Sequence, residues 1–518
     1  LEIIRVISGV NLVTMFRIFG PPGCGKTTTL LNMVDKYLAD GIQSNEIGFF
    51  AFSRKAAKEA KERAAIRFNL DPDKDLMYFR TLHSFAYRMI GLKDSQLMKN
   101  EHFRDLSKHI GINLTTIKPS GQVEDSELSS SISDHPILSL INLSRLKKIS
   151  LRQEYDKSEL MHTWTEVSYA DRCYKKYKEV NGLVDYTDML SIFSESAEKF
   201  CPKFKVAFMD EAQDLCALQW DIAHAIELKS DKMYVAGDDD QAIYRWSGAD
   251  PDYLIHLEGG SETLSQSYRI PAQVHNVAEK IVNRISHRFS KKYLPRKEKG
   301  SVQRVFRAGE LDMSEGTWLV LAQARYMLYP IEDELKNSGY LFEKLNGYRS
   351  IPEKLSEAVN GWEQLRKGES VSLATAQTIY SYMSGNGVKI ARGFKKIKGL
   401  EEEMYTLNRL QKEHGLLIGE DIIWHEAMDK LPQADRAYVV ALLRRGEKFN
   451  AKPRIKVSTI HQAKGGEADN VVLHTDLSAA AARIQNDDTH RVFYVAVTRT
   501  RKNLYLVEPE DISRSYTI

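Results

Sequence analysis

Gly20–Thr27, GPPGCGKT, is the stretch whose reading decides the fold. Gly20, four residues, then Gly25, Lys26 and Thr27 fit the spacing G-x-x-x-x-G-K-[ST]. The apolar run Met15–Phe19 precedes it, and Leu30, Leu31, Val34, Tyr37 and Leu38 follow at helical spacing, so the order is strand, loop, helix. The glycines let backbone N–H groups close on phosphate oxygens, Lys26 reaches the β and γ phosphates of a nucleotide, and the Thr27 hydroxyl can hold Mg²⁺. Gly20, Pro21, Pro22, Gly23, Cys24, Gly25, Lys26, Thr27 and Thr28 are the candidate nucleotide-binding residues.

A metal site needs a carboxylate opposite such a loop. In KVAFMDEAQD (Lys205–Asp214) an apolar strand ends at Asp210, followed by Glu211. Asp210 would hold Mg²⁺ through water and Glu211 would polarise the attacking water. The competing role for the pair is an acidic helix start. The distance along the chain from Lys26 to Asp210 exceeds what a compact phosphate-binding domain needs, so a segment is inserted between them.

Further apolar stretches, Ile47–Phe52, Val206–Met209, Met233–Ala236, Trp318–Leu321, Val471–His474 and Asn503–Val507, suit buried strands of parallel sheets. Segments 96–180 and 346–450 read instead as helical and polar. The Ser- and acid-rich run Gly121–Pro136 reads as an exposed loop in the first of them, and the three glycines of Gly385–Gly393 should break the second. At 518 residues the chain has room for three or four domains. Lys+Arg of 73 against Asp+Glu of 70 excludes a polycation, so any nucleic-acid groove is a local patch. No apolar run approaches bilayer length. Cys24, Cys173, Cys201 and Cys216 lack metal-ligand spacing or a disulfide framework, which fits a reducing cytosol.

From these residues onward the chain resembles the UvrD/Rep/PcrA helicases of superfamily 1, with motifs in the family's order. Phe49–Ala64 is similar to motif Ia, Thr81–Ala86 to Ib, and Asp185–Leu190 to the acidic segment ahead of the Asp210 strand. Gly237–Ala249 resembles motif III, Leu264–Pro271 motif IV, Ser458–Leu473 motif V and Arg491–Val507 motif VI. The resemblance implies an α/β fold of two RecA-like parallel-sheet motor domains, 1–95 with 181–263 and 264–345 with 451–518. Two mainly helical inserted subdomains, 96–180 and 346–450, complete it. It also implies ATP and Mg²⁺, single-stranded DNA and DNA junctions as partners, replication or repair proteins alongside, and the cytoplasm of a bacterial or virus-infected host cell.

Each site residue also has a chemical reason to be there. Gln241 follows a strand ending in three aspartates, where its amide can meet the γ-phosphate or the attacking water; a surface Gln after a turn is the other reading. Arg269 and Arg499, from the second half of the chain, can supply positive charge to the transferred phosphoryl group across a cleft, although either alone would read as a surface salt bridge. By resemblance Tyr268 stacks on adenine, against an ordinary core role, and Glu467 approaches the nucleotide sugar. For DNA, Phe52, His83, Tyr244 and Trp246 are candidate base platforms, and Arg54, Lys55, Thr81, Thr459 and His461 candidate backbone contacts. Burial in a core competes for each aromatic, and Trp246, which follows a polar turn, is the strongest candidate.

Three departures from the family pattern are visible: Ser247 where Arg is usual, with Arg245 ahead of Trp246; Ser267 where Asn is usual; and no upstream glutamine, the first being Gln43. Stacking without that amide tolerates any purine, so GTP or dATP should serve nearly as well as ATP unless residues ahead of Leu1 supply the contact. The leading expectation is an ATP-dependent translocase on single-stranded DNA that separates duplexes, 3′ to 5′ by resemblance. The alternative is a DNA-stimulated ATPase that displaces proteins or remodels forks with little intrinsic unwinding.

Overall fold

The computed structural model describes residues 15–52, 54–114, 135–345, 347–449, 451–509 and 511–518, apart from the Lys55 side chain. Two six-stranded parallel sheets organise it. The first contains β1 (Phe16–Phe19), β2 (Ile47–Ala51), β3 (Phe79–Thr81), β4 (Val206–Asp210), β5 (Met233–Gly237) and β6 (Ser261–Thr263), in the order β3-β2-β4-β5-β1-β6. A two-stranded parallel pair, β7 (Gln266–Pro271) and β8 (Leu294–Arg296), leads out of it. The second sheet contains β9 (Ser301–Val305), β10 (Trp318–Ala322) and β11 (Phe342–Lys344). A short antiparallel pair, β12 (Val371–Ser372) and β13 (Met404–Tyr405), intervenes. Then β14 (Ile455–Thr459), β15 (Ala468–His474) and β16 (Thr500–Val507) complete the order β11-β14-β10-β15-β16-β9.

The central strands are buried along their whole length because helices cover both faces, and their side chains alternate between two cores. Phe50, Ala207 and Met209 enter one core of the first sheet, while Phe49, Val206 and Phe208 enter the other. In the second sheet Leu319, Leu321, Val471 and Leu473 face one side, and Trp318, Val320 and Val472 the opposite side. Every strand expected from an apolar run is present, to within three residues at either end.

The helices Asn100–Ile110, Pro136–Leu146, Leu151–Asp156 and Trp164–Asn181 pack on a core of their own that includes Leu106, Ile137, Ile141, Val167 and Tyr174. Between β11 and β14, helices Glu353–Arg366, Leu373–Ser381 and Gln433–Arg444 surround Trp362, Ile379, Tyr405 and Val439. No helix spans Gly385–Gly393, as its glycines require. The expected exposed loop at Gly121–Pro136 falls almost wholly outside the described residues, as does Leu1–Thr14. Among the described residues no helix is long and apolar enough to cross a membrane.

Candidate nucleotide and DNA sites

Parallel strands bring their carboxyl ends to one edge, and there β1, β4 and β5 deliver the phosphate loop, Asp210 and the Asp238–Gln241 turn side by side. Gly20 N–H donates to Gly237 O at 3.0 Å, which fixes the loop's start beside β5. Gly25 is left-handed (φ 78°) and opens helix Lys26–Ala39, whose first turn has no acidic residue and no side-chain cap. Its first N–H groups therefore present positive potential to an anion. Lys26 Nζ lies over the loop, 3.0 Å from Gly20 O and 3.7 Å from Glu211 Oε1. Cys24 is buried, which pushes its thiol up to about 12 and leaves it unreactive.

Thr27 Oγ1 donates to Asp210 Oδ2 at 2.5 Å. A hydroxyl and a carboxylate side by side are hard oxygen donors of the kind Mg²⁺ takes, so these two residues fit that ion. Glu211 leads into the one-turn 3-10 helix Ala212–Asp214 but its side chain does not cap it, and its backbone is left-handed (φ 56°), a strained state for a non-glycine residue. That twist turns its carboxylate toward Lys26 on one side and Gln213 Nε2, at 2.6 Å, on the other. Burial pushes the Glu211 carboxyl up, but Lys26 and Lys464 outweigh it and hold it low. Burial, then the neighbouring Glu211 charge, moves Asp210 the opposite way. The pair is thus split into an ionised base and a carboxyl that gains from a cation.

The amino edge of the second sheet meets this edge of the first. Gly23 (φ 74°) cannot carry a side chain, since a Cβ there would sit 2.4 Å from Arg269 Cβ. Ser267 Oγ donates to Pro22 O at 2.8 Å and Tyr268 N–H to Gly23 O at 2.9 Å, so β7 is sewn directly to the phosphate loop. Serine at 267 is short enough for that approach. Tyr268 is 71% exposed beside the loop, open to stack rather than buried in a core. Arg269 Nε donates to Glu467 Oε2 at 2.5 Å, and Glu467 also pairs with Arg501 at 3.1 Å. Arg499 is fully buried and its Nη2 donates to Gln241 Oε1 at 2.7 Å, so Gln241 is a bridging residue rather than a surface one. Burial, and then the like charge of Arg269, lower the Arg499 guanidinium to about 9, still protonated at neutral pH.

From Gln241 the chain runs straight to the aromatic residues. Phe52 and Tyr244 stack at 5.6 Å, Trp246 meets Tyr244 edge-on at 6.5 Å, and His461, in the turn after β14, meets Trp246 at 6.3 Å. Trp246 is 60% exposed, whereas Phe52 is 5% exposed and forms a floor under Tyr244 rather than an open platform. Burial, then Lys464, lower His461 to about 4, so its imidazole is neutral at neutral pH. Thr81 and His83 are buried, the Thr81 hydroxyl capping the helix Leu82–Met89. Thr459 Oγ1 bonds Gln462, and Arg54 is exposed. Arg245 reaches Asp488 at 3.4 Å, and Ser247 Oγ closes back on Tyr244 O.

Lys58, Lys61, Arg80, Tyr87 and Lys464 escaped the sequence reading, which names Arg54 alone of this group. Arg54, Lys58 and Lys61 line a cavity of about 560 Å³ with Arg80 and Tyr87. Their four- and three-residue spacing, one helix face, was the signal available. Lys464 donates to both Asp214 oxygens and, at 2.7 Å, to Gln241 O.

The UvrD/REP helicase N-terminal domain matches residues 10–260 and the UvrD-like helicase C-terminal domain residues 455–507, together more than half of the chain. The chain belongs to the UvrD/Rep/PcrA-like helicase family. DNA helicase II of Haemophilus influenzae is 24% identical over 379 residues, covering 68% of this chain and 49% of that protein. PcrA of Bacillus subtilis is 26% identical over 57% of this chain and 41% of its own length, and Rep of Salmonella typhimurium 23% over 64% and 52%. The chain thus spans about half the length of the curated relatives it matches.

Proposed function

We propose that this chain is an ATP-driven translocase on single-stranded DNA that separates duplexes, moving 3′ to 5′ as the family resemblance implies. One observation carries the reading: Gln241, held by Arg499 across the cleft, lies five residues from the exposed Trp246 on one continuous turn. A change at the nucleotide is thereby transmitted to the aromatic surface. In this reading 1–95 with 181–263 and 264–345 with 451–518 are the motors, and 96–180 and 346–450 the insertions.

ATP sits on the loop Gly20–Thr28 with its base on Tyr268 and its sugar by Glu467. Thr27 and Asp210 would hold Mg²⁺, which offsets charge on the β and γ phosphates. Glu211 takes the proton from the attacking water, Gln241 orients that water, and Lys26, Arg269 and Arg499 stabilise the charge on the transferred group. Both arginines come from the second motor, so hydrolysis requires a closed cleft. DNA junctions and replication or repair proteins are the partners this activity would serve.

ATP turnover with and without single-stranded DNA tests the proposal, and turnover indifferent to DNA would overturn it. Comparing fork unwinding with streptavidin displacement separates a helicase from a translocase that mainly strips proteins. Trp246→Ala is expected to weaken single-stranded DNA binding by about 1 to 3 kcal/mol, as for a lost stacked base, with little change in DNA-independent ATPase. Unchanged affinity with a lowered Tm would assign Trp246 a packing role instead.

A further inference from the structure

The segment Ser286–Lys291, between helix Ala272–Val282 and β8, touches both motors at once. On one side Ser286 and His287 N–H groups each donate to Asp487 at 2.9 Å, and Arg491 Nη2 donates to His287 O at 2.6 Å. On the other, Arg288 forks onto Asp240 at 2.7 and 2.6 Å, and Phe289 stacks on Phe19, the last residue of β1, at 3.9 Å. Lys291 completes the contact. Its side chain is 1% exposed, and Nζ lies 3.0, 2.6 and 2.7 Å from Asp238, Asp239 and Asp240.

Three buried carboxylates within 4.8 Å of one another would suit a metal ion by geometry alone. Here the ammonium already lies among them, donating to Asp239 Oδ1 and ion-paired with Asp238 and Asp240. The consequence reaches the nucleotide site. Lys291 takes Asp238 Oδ1, while Asp238 Oδ2 accepts from Gln241 Nε2 at 2.6 Å and Gln241 Oε1 accepts from Arg499 at 2.7 Å. A carboxylate accepts only from the NH₂ end of an amide, so an aimed Asp238 decides which way round Gln241 stands. Lys291 is the charge that aims it.

Resting on the proposed ATPase function, we propose that Lys291 is a positioning residue for hydrolysis, acting through Asp238 to hold the Gln241 amide oxygen toward Arg499. A misplaced water-orienting group costs up to about 10²-fold in rate, since alignment of the reacting atoms is what it supplies. Lys291→Met should therefore lower kcat of DNA-stimulated ATP turnover by about 10- to 100-fold while changing KM for ATP less than about threefold. Adding Gln241→Ala to Lys291→Met should cost little more, because both act on the same group.

Multiplicative losses in that double variant, or a folded Lys291→Met with normal kcat, would overturn the proposal. If Lys291→Met is too unstable to assay, Lys291→Met with Asp240→Asn removes a buried carboxylate along with the cation and leaves Asp238 unaimed. The same kcat loss and the same non-additivity with Gln241→Ala are expected of it, and normal turnover would overturn the proposal equally. Turnover of the unsubstituted chain reports on the function itself, and the variant-to-parent ratio on Lys291, so the two failures are distinct.

Discussion

Lys26→Ala and Glu211→Gln should each abolish ATP turnover, but only the first should also lose ATP. Lys26 is the cation over the phosphate loop, and a charged hydrogen bond of about 1.5 to 3 kcal/mol is lost with it, roughly 10- to 150-fold in affinity. Its removal also deprives Glu211 of the leading charge that holds its carboxyl low and of the ion pair that helps place it. Glu211→Gln leaves the loop, Thr27 and Asp210 in place and keeps a polar group beside Gln213. The lost proton acceptor should cost about 10²- to 10⁴-fold in kcat, with ATP binding close to normal. Equal loss of nucleotide affinity in both variants, measured by equilibrium binding, would contradict the assignment of Glu211 as base.

The motor strands were legible because parallel strands covered on both faces are continuous apolar runs, and Ile47–Phe52 or Trp318–Leu321 admits little else. The edge strands were not. Ser261–Thr263 is short and mostly exposed, and Ser301–Val305 is only half-buried with Gln303 and Arg304 exposed, so neither carries a continuous apolar run. The phosphate loop and the Asp210–Glu211 pair were legible for a different reason: the chemistry demands particular residue types next to one another in sequence. Phe52 shows the limit, since an aromatic in a cleft-lining motif can be a platform or the floor beneath one, and only the Tyr244 ring above it decides. Lys291 and Lys464 show another. Each acts on a turn far away in the chain, and neither stands in a spacing that names its partner.

Arg499→Ala is expected to reduce hydrolysis by roughly 10³-fold or more, the effect of losing an arginine finger, while single-stranded DNA still binds. The structural reason is where Arg499 sits: fully buried ahead of β16, anchored by Nε on Val495 O at 2.9 Å, with Nη2 on Gln241 of the other motor. Alanine leaves Gln241 Oε1 without that partner and removes the cation that contacts it where the two sheets meet. Arg501, two residues on, is half-exposed and pairs with Glu467 at 3.1 Å, a carboxylate that Arg269 already engages. An exposed pair of this kind contributes little, so Arg501→Ala should change turnover only mildly. Measuring kcat for both variants alongside DNA affinity separates the readings. A heavier loss in Arg501→Ala would mean that the transition-state charge comes from the exposed side of Glu467, and that Arg499 merely ties the sheets together.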